Sequence, residues 1–407
     1  MIKLLRKYNT ILILTSLILA IVFGILTPWI FQHIKFLGDL FLNLLKLFAL
    51  PLICSALIAT LGNMGHNLNA LRSLAKGALI YMIISEVIAV TIALVLFNML
   101  NPGYGVDSAL ILHGETYTPI NQGHLNLSEF ILSIFPNNIF DSLAKFNLLP
   151  VVVFSIIFGT ACAISGKKGS PIISFFEASK DVSTICLYGV MSIAPLGIFA
   201  LVGNGIAESS IRGNLYNNFA ALIAFVLVLI LGLLIHALWQ FVLVLFITKD
   251  KPFTTLKQVF PLLSTAFATS SSIASIPIAM ETADKLNSNP RVTRFMLPLC
   301  ASINLGGMMM YEVAAALFFT QVLGIHLSLG YQILLAFACI LGGMAEGGIP
   351  ETSMVSLVVI FKIVNVPLSA ISILLPLDRI IDRLRTMVNI FGNLCGVIIV
   401  SRFIKEE

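Results

Sequence analysis

The chain has 407 residues, a formal net charge of +5 and a mean hydropathy of +1.01; 58% of it is hydrophobic and only 11% is charged. Soluble domains carry about a quarter charged residues, which excludes a water-soluble globular fold. Apolar runs of helix-spanning length recur from end to end, so the fold class is an all-α polytopic membrane protein, with membrane lipid as its surroundings and no nucleic acid expected as a partner.

The first apolar run, 8–31, is longer than the h-region of a signal peptide, shows no small-residue cleavage site and is followed by further spans. It is read as a retained first helix. Further spans are read at 38–62, 77–100, 128–163 (broken at Pro136 and Pro150), 181–207 and 217–247. After Lys251 the pattern changes. Two apolar segments, 255–283 and 329–362, are interrupted by small and polar residues: ATSSSIASIP at 268–277 and GGMAEGGIPETS at 342–353. Each is followed by a long span, 291–323 and 366–402. This makes about eight transmembrane helices plus two re-entrant helical hairpins.

Basic residues set the orientation. Lys3, Arg6, Lys7, Arg72, Lys76, Lys167, Lys168, Lys249, Lys251, Arg291 and Arg402 share one side if both termini are cytoplasmic. The loops at 101–127 and 324–330 carry no Lys or Arg, and only Lys35 and Arg212 fall in outside connections. The assignment holds only if each interrupted segment enters and leaves on one side, the first from inside and the second from outside. Hairpin plus helix then recurs as an inverted repeat. That is the plan of secondary transporters, whose broken helices bring backbone dipoles to the bilayer midplane. A multi-pass protein of the cell's inner (plasma) membrane is expected. The six cysteines (Cys54, Cys162, Cys186, Cys300, Cys339 and Cys395) lie in apolar runs with no CxxC pair, so neither a disulfide framework nor a metal site is expected.

The last span contains LDRIIDRLRTMVNIFGN, 377–393. At helical spacing Asp378, Asp382, Arg385, Asn389 and Asn393 fall within an arc of about 80°, while Arg379 and Arg383 point to a neighbouring face. Facing lipid, each charge would cost roughly 3 kcal/mol. The stripe must therefore face protein or a water-filled cavity. An ion-pair ladder explains the carboxylates and arginines. It does not explain why Thr386, Asn389 and Asn393 extend the face, whereas a ligand carrying both signs explains all of them: arginine forks onto a carboxylate and aspartate accepts from an ammonium.

This stretch resembles the last-helix signature of the glutamate transporter family, the dicarboxylate/amino acid:cation symporters. The resemblance covers essentially the whole chain: LKLFALPLICSALI at 45–58, NPG at 101–103, APLGIFALV at 194–202, the serine-rich hairpin and GGIPETS at 347–353 fall in the family's order. It implies the glutamate-transporter fold, no cofactor, no enzyme activity and a homotrimer. It also implies a division into scaffold helices (1–76 and 128–207) and a transport part (208–407), with helix 3 and an outside loop at 77–127. Arg385 would take the substrate's side-chain carboxylate, Asp382 its ammonium, and Thr386 and Asn389 further polar contacts. Ser271 and Ser272, with Ile349 and Pro350, would enclose the ligand from the two hairpin tips. Arg383 would supply the second arginine that some members carry on the first hairpin, where this chain has Ser270. Asp378 would organise the arginines. The second hairpin, rich in glycine around 342–353, would be the outer gate.

Departures from the family's pattern concern the ion. The usual Asn-Met-Asp-Gly-Thr motif reads NLGGM here, Asn304 to Met308, so that Gly306 replaces one cation-binding aspartate; Asn393 replaces another. Glu86 appears in span 3 beside a third cation position, and Glu312 follows Tyr311 where proton-coupled members also carry glutamate. Glu346 and Glu351 flank the second hairpin tip, and His236 stands alone in an apolar helix. The expected function is secondary active uptake of an acidic amino acid, L-glutamate or L-aspartate, coupled to protons through Glu312 or Glu86. The alternatives are sodium coupling, with Asn304, Asn393 and Glu86 around the ion, and C4-dicarboxylates as substrate. More distant are a passive conductor and an intramembrane serine enzyme built on Ser270–Ser272, for which there is no GxSxG motif.

Overall fold

A computed structural model describes residues 2–64, 72–106, 108, 135, 137–145, 148–211, 215–249, 251–344 and 353–403. Every regular element among them is helical: α1 (Ile2–Leu26), α2 (Pro28–Met64), α3 (Arg72–Leu100), α4 (Ile139–Ala144), α5 (Leu148–Ile164), α6 (Ser170–Ser192), α7 (Ala194–Ile211), α8 (Leu215–Thr248), α9 (Pro252–Thr269), α10 (Ile276–Lys285), α11 (Pro290–Ile303), α12 (Gly306–Val322), α13 (Leu329–Met344), α14 (Ser353–Ile363) and α15 (Ala370–Phe403). Among the described residues, five helical stretches are long and apolar enough to cross a membrane: 33–63, 76–100, 216–248, 290–322 and 377–403. The pair α6–α7, bent by 54°, makes a sixth. At 1.5 Å per residue, the 37 residues of α2 and 34 of α8 run to about 50 Å, well beyond a hydrocarbon core of about 30 Å. Such helices must tilt or project from the bilayer.

Several spans differ from their reading in the sequence. The first two meet at Thr27, not between 31 and 38, and α5 runs through Pro150 in its first turn, where a proline needs no N–H partner, so the chain does not break there. The run at 181–207 reads as one helix, but α6 starts earlier and ends at Ser192, with the chain turning at Ile193. Pro195, in the first turn of α7, has no N–H to give back to α6, and Leu196 and Gly197 bond instead to the carbonyl of Ile193 (3.1 and 3.2 Å). The run at 291–323 also reads as continuous, yet Asn304 (φ −88°, ψ 83°) and Leu305 (φ −113°, ψ 50°) leave the helical region between α11 and α12. The glycine pair that follows favours a break there, and the exposed backbone groups find partners on α15.

The first interrupted segment is α9, a tip at 270–275, and α10. Ser270 ends α9 in the left-handed region (φ 49°), its N–H bonded to the carbonyl of Ala266 at 2.9 Å. Ser271 Oγ then accepts from the N–H of Ala274 (3.2 Å), and Ser275 Oγ donates to the carbonyl of Ser271 (2.9 Å). The serine side chains thus add to the tip's own turn bonds, in which the N–H of Ser275 reaches the carbonyls of Ser271 and Ser272 (both 3.2 Å) and that of Ile276 the carbonyl of Ile273 (3.2 Å). Left-handed backbone costs a side-chain-bearing residue about 1–2 kcal/mol. Ser270→Gly is therefore expected to raise the melting temperature of the purified protein and Ser270→Val to lower it. The second interrupted segment is α13 and α14; its tip, including Glu346, Ile349, Pro350 and Glu351, lies outside the described residues.

α2 packs along α5, α6 and α7, and α1 along α7. α15 packs along α8, α9, α11 and α12, and α3 along α12 and α8. The two groups meet where α14 lies on α2 and α15 on α7. α12 is at the centre, buried without a break from Gly306 to Thr320. A row of rings, Tyr311–Phe225–Phe318–Phe319–Phe361, with centroids 5.1–6.4 Å apart, fixes it against α8 and α14.

Candidate functional site

Arg385 is the centre of the charged stripe and is 1% exposed. Its Nη2 donates to Asp378 Oδ1 at 2.6 Å, to Asp382 Oδ1 at 3.1 Å and to Ser353 Oγ at 3.4 Å. Its Nη1 donates to the sulfur of Met308 at 3.1 Å, and the guanidinium carbon lies 4.2 Å from the centroid of the Tyr311 ring. Three elements thus converge: α15 supplies the charges, α12 the thioether and the ring, α14 the hydroxyl. A guanidinium this deep needs compensation, which two carboxylates and a π face supply. The Asp378 side chain is 6% exposed and that of Asp382 18% exposed. Asp382 is therefore the more accessible of the two partners.

Ser353 begins α14 and also donates to Asp378 (3.2–3.3 Å). A buried carboxylate that loses a hydroxyl donor is destabilised by about 1–3 kcal/mol. Ser353→Ala is expected to lower the melting temperature of the purified protein. An unchanged melting temperature would contradict the role.

Further along the same face lie the amides. Asn389 Oδ1 accepts from the N–H of Gly307 at 2.8 Å, closing one backbone group opened by the break before α12. The amides of Asn304 and Asn393 lie 2.8 Å apart, both buried. With its nitrogen turned inward, Asn393 donates to the backbone oxygens of Asn304 (3.2 Å) and Asn389 (3.3 Å). This cluster is neutral. Its carbonyl oxygens could hold a cation only without help from a carboxylate among these residues, a weak donor set for sodium.

The remaining predicted residues are more scattered. Thr386 is buried on α15. Arg383 lies over Phe267 of α9, 5.6 Å from the ring centroid, which ties the stripe to the first hairpin. Ser272 is buried in the hairpin tip and Ser271 is partly exposed beside it. Glu312 is completely buried on α12, next to Tyr311. Glu86 is buried on α3. The structure therefore brings Asp378, Asp382 and Arg385 into one cluster, and Asn304, Asn389 and Asn393 into a second. Ile349 and Pro350 fall outside the described residues. Ser353, Met308 and the ring of Tyr311 join the arginine without having been singled out as its partners. Their signal in the sequence was position: the last residue of GGIPETS, and two residues at i and i+3 on a helix whose composition shows no face.

The sequence profile of the sodium:dicarboxylate symporter family matches residues 10–403. The proton/sodium-glutamate symport protein of Bacillus subtilis (strain 168) is 30% identical over 405 residues, 96% of this chain and 91% of the relative. The proton/glutamate-aspartate symporter of the same organism is 27% identical over 402 residues, covering 98% and 96%. Its C4-dicarboxylate transport protein is 28% identical over 412 residues, covering 98% and 94%.

Proposed function

We propose, for a chain that belongs to the sodium:dicarboxylate symporter family and spans the membrane several times, secondary active uptake of an acidic amino acid, L-glutamate or L-aspartate, by alternating access. The observation that carries the substrate is the single helix face on which buried Arg385 bonds to the partly exposed Asp382. The Arg385 fork takes the side-chain carboxylate, Asp382 takes the ammonium, and Thr386 and Asn389 complete the hydrogen bonding. Ser271 and Ser272 with Ile349 and Pro350 close over the ligand from the hairpin tips, and Arg383 and Asp378 set the charge around it. Ligand entry exchanges the internal Arg385–Asp382 pair for two ligand pairs, so charge stays balanced in the occupied and empty forms.

Calorimetry on the purified protein tests this assignment. Glutamate and aspartate should bind far more tightly than serine or alanine, which leave Arg385 without a carboxylate. Succinate, a C4-dicarboxylate, leaves Asp382 without an ammonium and should also bind more weakly. Serine or alanine binding more tightly than both acidic amino acids would make the assignment wrong.

The coupling ion in this reading is the proton. Gly306 and Asn393 offer no carboxylate, while Glu312 is a buried carboxyl one residue from the ring beneath Arg385. A buried carboxyl crosses a bilayer more easily with its proton than without it. Glu312 loads a proton on the acidic side and releases it on the other. The helices 208–407 with helix 3 move as the transport part against a scaffold of 1–76 and 128–207. The protein works as a homotrimer in the cell's inner (plasma) membrane with both termini in the cytoplasm. No cofactor and no enzymatic step enter this cycle.

A further inference from the structure

The two ends of the Arg385 guanidinium have unlike neighbours. Nη2 faces oxygen: Asp378 Oδ1 at 2.6 Å, Asp382 Oδ1 at 3.1 Å and Ser353 Oγ at 3.4 Å. Nη1 faces sulfur, the Met308 thioether at 3.1 Å. A carboxylate accepts a strong, charge-assisted hydrogen bond from a guanidinium, whereas a thioether is a weak and neutral acceptor. The Tyr311 ring, 4.2 Å from the guanidinium carbon, comes from the same helix as Met308, three residues further on.

An arriving carboxylate meets a different field at each end. At Nη2 it would stand beside Asp378 and Asp382, both within hydrogen-bonding distance of that nitrogen, and like charges a few ångströms apart repel strongly in a buried site. At Nη1 it meets a neutral side chain. Breaking an N–H···S bond costs less than breaking a charge-assisted bond to a carboxylate. Asp378 can then stay on Nη2 while Asp382, the more exposed of the two, turns to the ammonium.

The backbone at Met308 is held and its side chain is not. Met308 lies in the first turn of α12, directly after the break at Asn304–Leu305. Its N–H bonds to the carbonyl of Leu305 at 2.8 Å, and that of Gly307 to Asn389 Oδ1 at 2.8 Å. Methionine is unbranched, with three rotatable bonds, so the sulfur can leave Nη1 without moving the helix. Met308 is 6% exposed, against 1% for Arg385 and 0% for Tyr311, so it has the most access of the three to an incoming group.

We infer that the Met308 thioether competes with the substrate's side-chain carboxylate for Nη1 of Arg385, and so sets how tightly acidic amino acids bind. The sulfur occupies Nη1 at low cost and yields it to a stronger acceptor, while the Tyr311 ring keeps the guanidinium in place. Met308 is thus a specificity-determining residue that acts by being displaced. This deepens the acidic-amino-acid reading and rests on it.

Calorimetry of the purified protein with L-aspartate and L-glutamate, paired with melting temperatures measured without substrate, tests the competition. Met308→Leu keeps the bulk and removes the acceptor. It should bind both acids about threefold to tenfold more tightly and melt lower than wild type when no substrate is present. Met308→Gln offers an amide oxygen, a stronger acceptor of similar reach, and should bind both acids about tenfold more weakly. A side chain that only packs gives no such opposition: affinity unchanged or weakened in Met308→Leu overturns the proposal, as does affinity unchanged or raised in Met308→Gln. NMR of wild-type protein carrying 13C-methyl methionine provides an arm that needs no variant to fold. Among the 13 methionines, at least one methyl signal should move on saturation with aspartate; a spectrum with none moving overturns the proposal. The two readings fail separately. If both acids bind wild type but the variants do not shift in opposite directions, the role of Met308 alone is wrong. If neither acid binds wild type, the substrate assignment is wrong and this inference falls with it.

Discussion

Arg385→Cys is expected to weaken glutamate and aspartate binding by at least about 100-fold. Removing one partner of a buried charge pair costs about 2–5 kcal/mol, and each 1.4 kcal/mol is tenfold in affinity. The loss has two sources. The ligand carboxylate has no fork, and Asp378 and Asp382, both bonded to Nη2 in the intact protein, face each other without a cation. The shortened side chain also leaves room above the Tyr311 ring, so small neutral amino acids should bind better than in wild type. Arg385→Lys separates charge from geometry. It keeps the positive charge but loses the planar fork and much of its fit to the ring, so it should recover only part of the affinity. Wild-type affinity for glutamate in Arg385→Cys, measured by calorimetry on protein with an unchanged melting temperature, would remove the arginine from the substrate site.

Glu312→Gln is expected to leave glutamate binding nearly intact while abolishing the pH dependence of uptake. The substitution keeps size and hydrogen-bonding shape but cannot gain or lose a proton. Position gives the expectation its force: Glu312 is wholly buried, beside Tyr311, on the helix that also presents Met308 to Arg385. Met308 and Tyr311, which touch the guanidinium, share this helix with Glu312. Uptake by the variant that still rises with an imposed pH gradient as steeply as in wild type would exclude Glu312 as the carrier.

The charged stripe was legible because helical spacing is a strict filter. Residues at 378, 382, 385, 389 and 393 share a face on any α-helix, and α15 runs unbroken through all of them. The hairpin interruption at 268–277 was legible for a similar reason: a serine run followed by Ile-Pro cannot continue an apolar helix, and α9 ends at Thr269. What pairs with the stripe was harder to see. Met308 and Tyr311 lie on a helix buried on all sides, so hydrophobic periodicity marks no functional face there. Ser353 reaches Asp378 only because α14 folds back over α15, a contact set by tertiary packing. The break at Asn304–Leu305 hid inside an apolar run, because its stabilising partners, Asn389 and Asn393, are distant in sequence. His236 stood out in the sequence only as a lone histidine in an apolar helix; its position against Gly306 needed coordinates.

Reconstitution into sodium-free proteoliposomes with an imposed pH gradient, acidic outside, tests the central claim most directly. Glutamate should accumulate inside against its own gradient, collapse of the pH gradient by a protonophore should release it, and added sodium should change the rate little. Accumulation that requires sodium and ignores the pH gradient, or equilibration without concentration, would contradict proton-driven uptake.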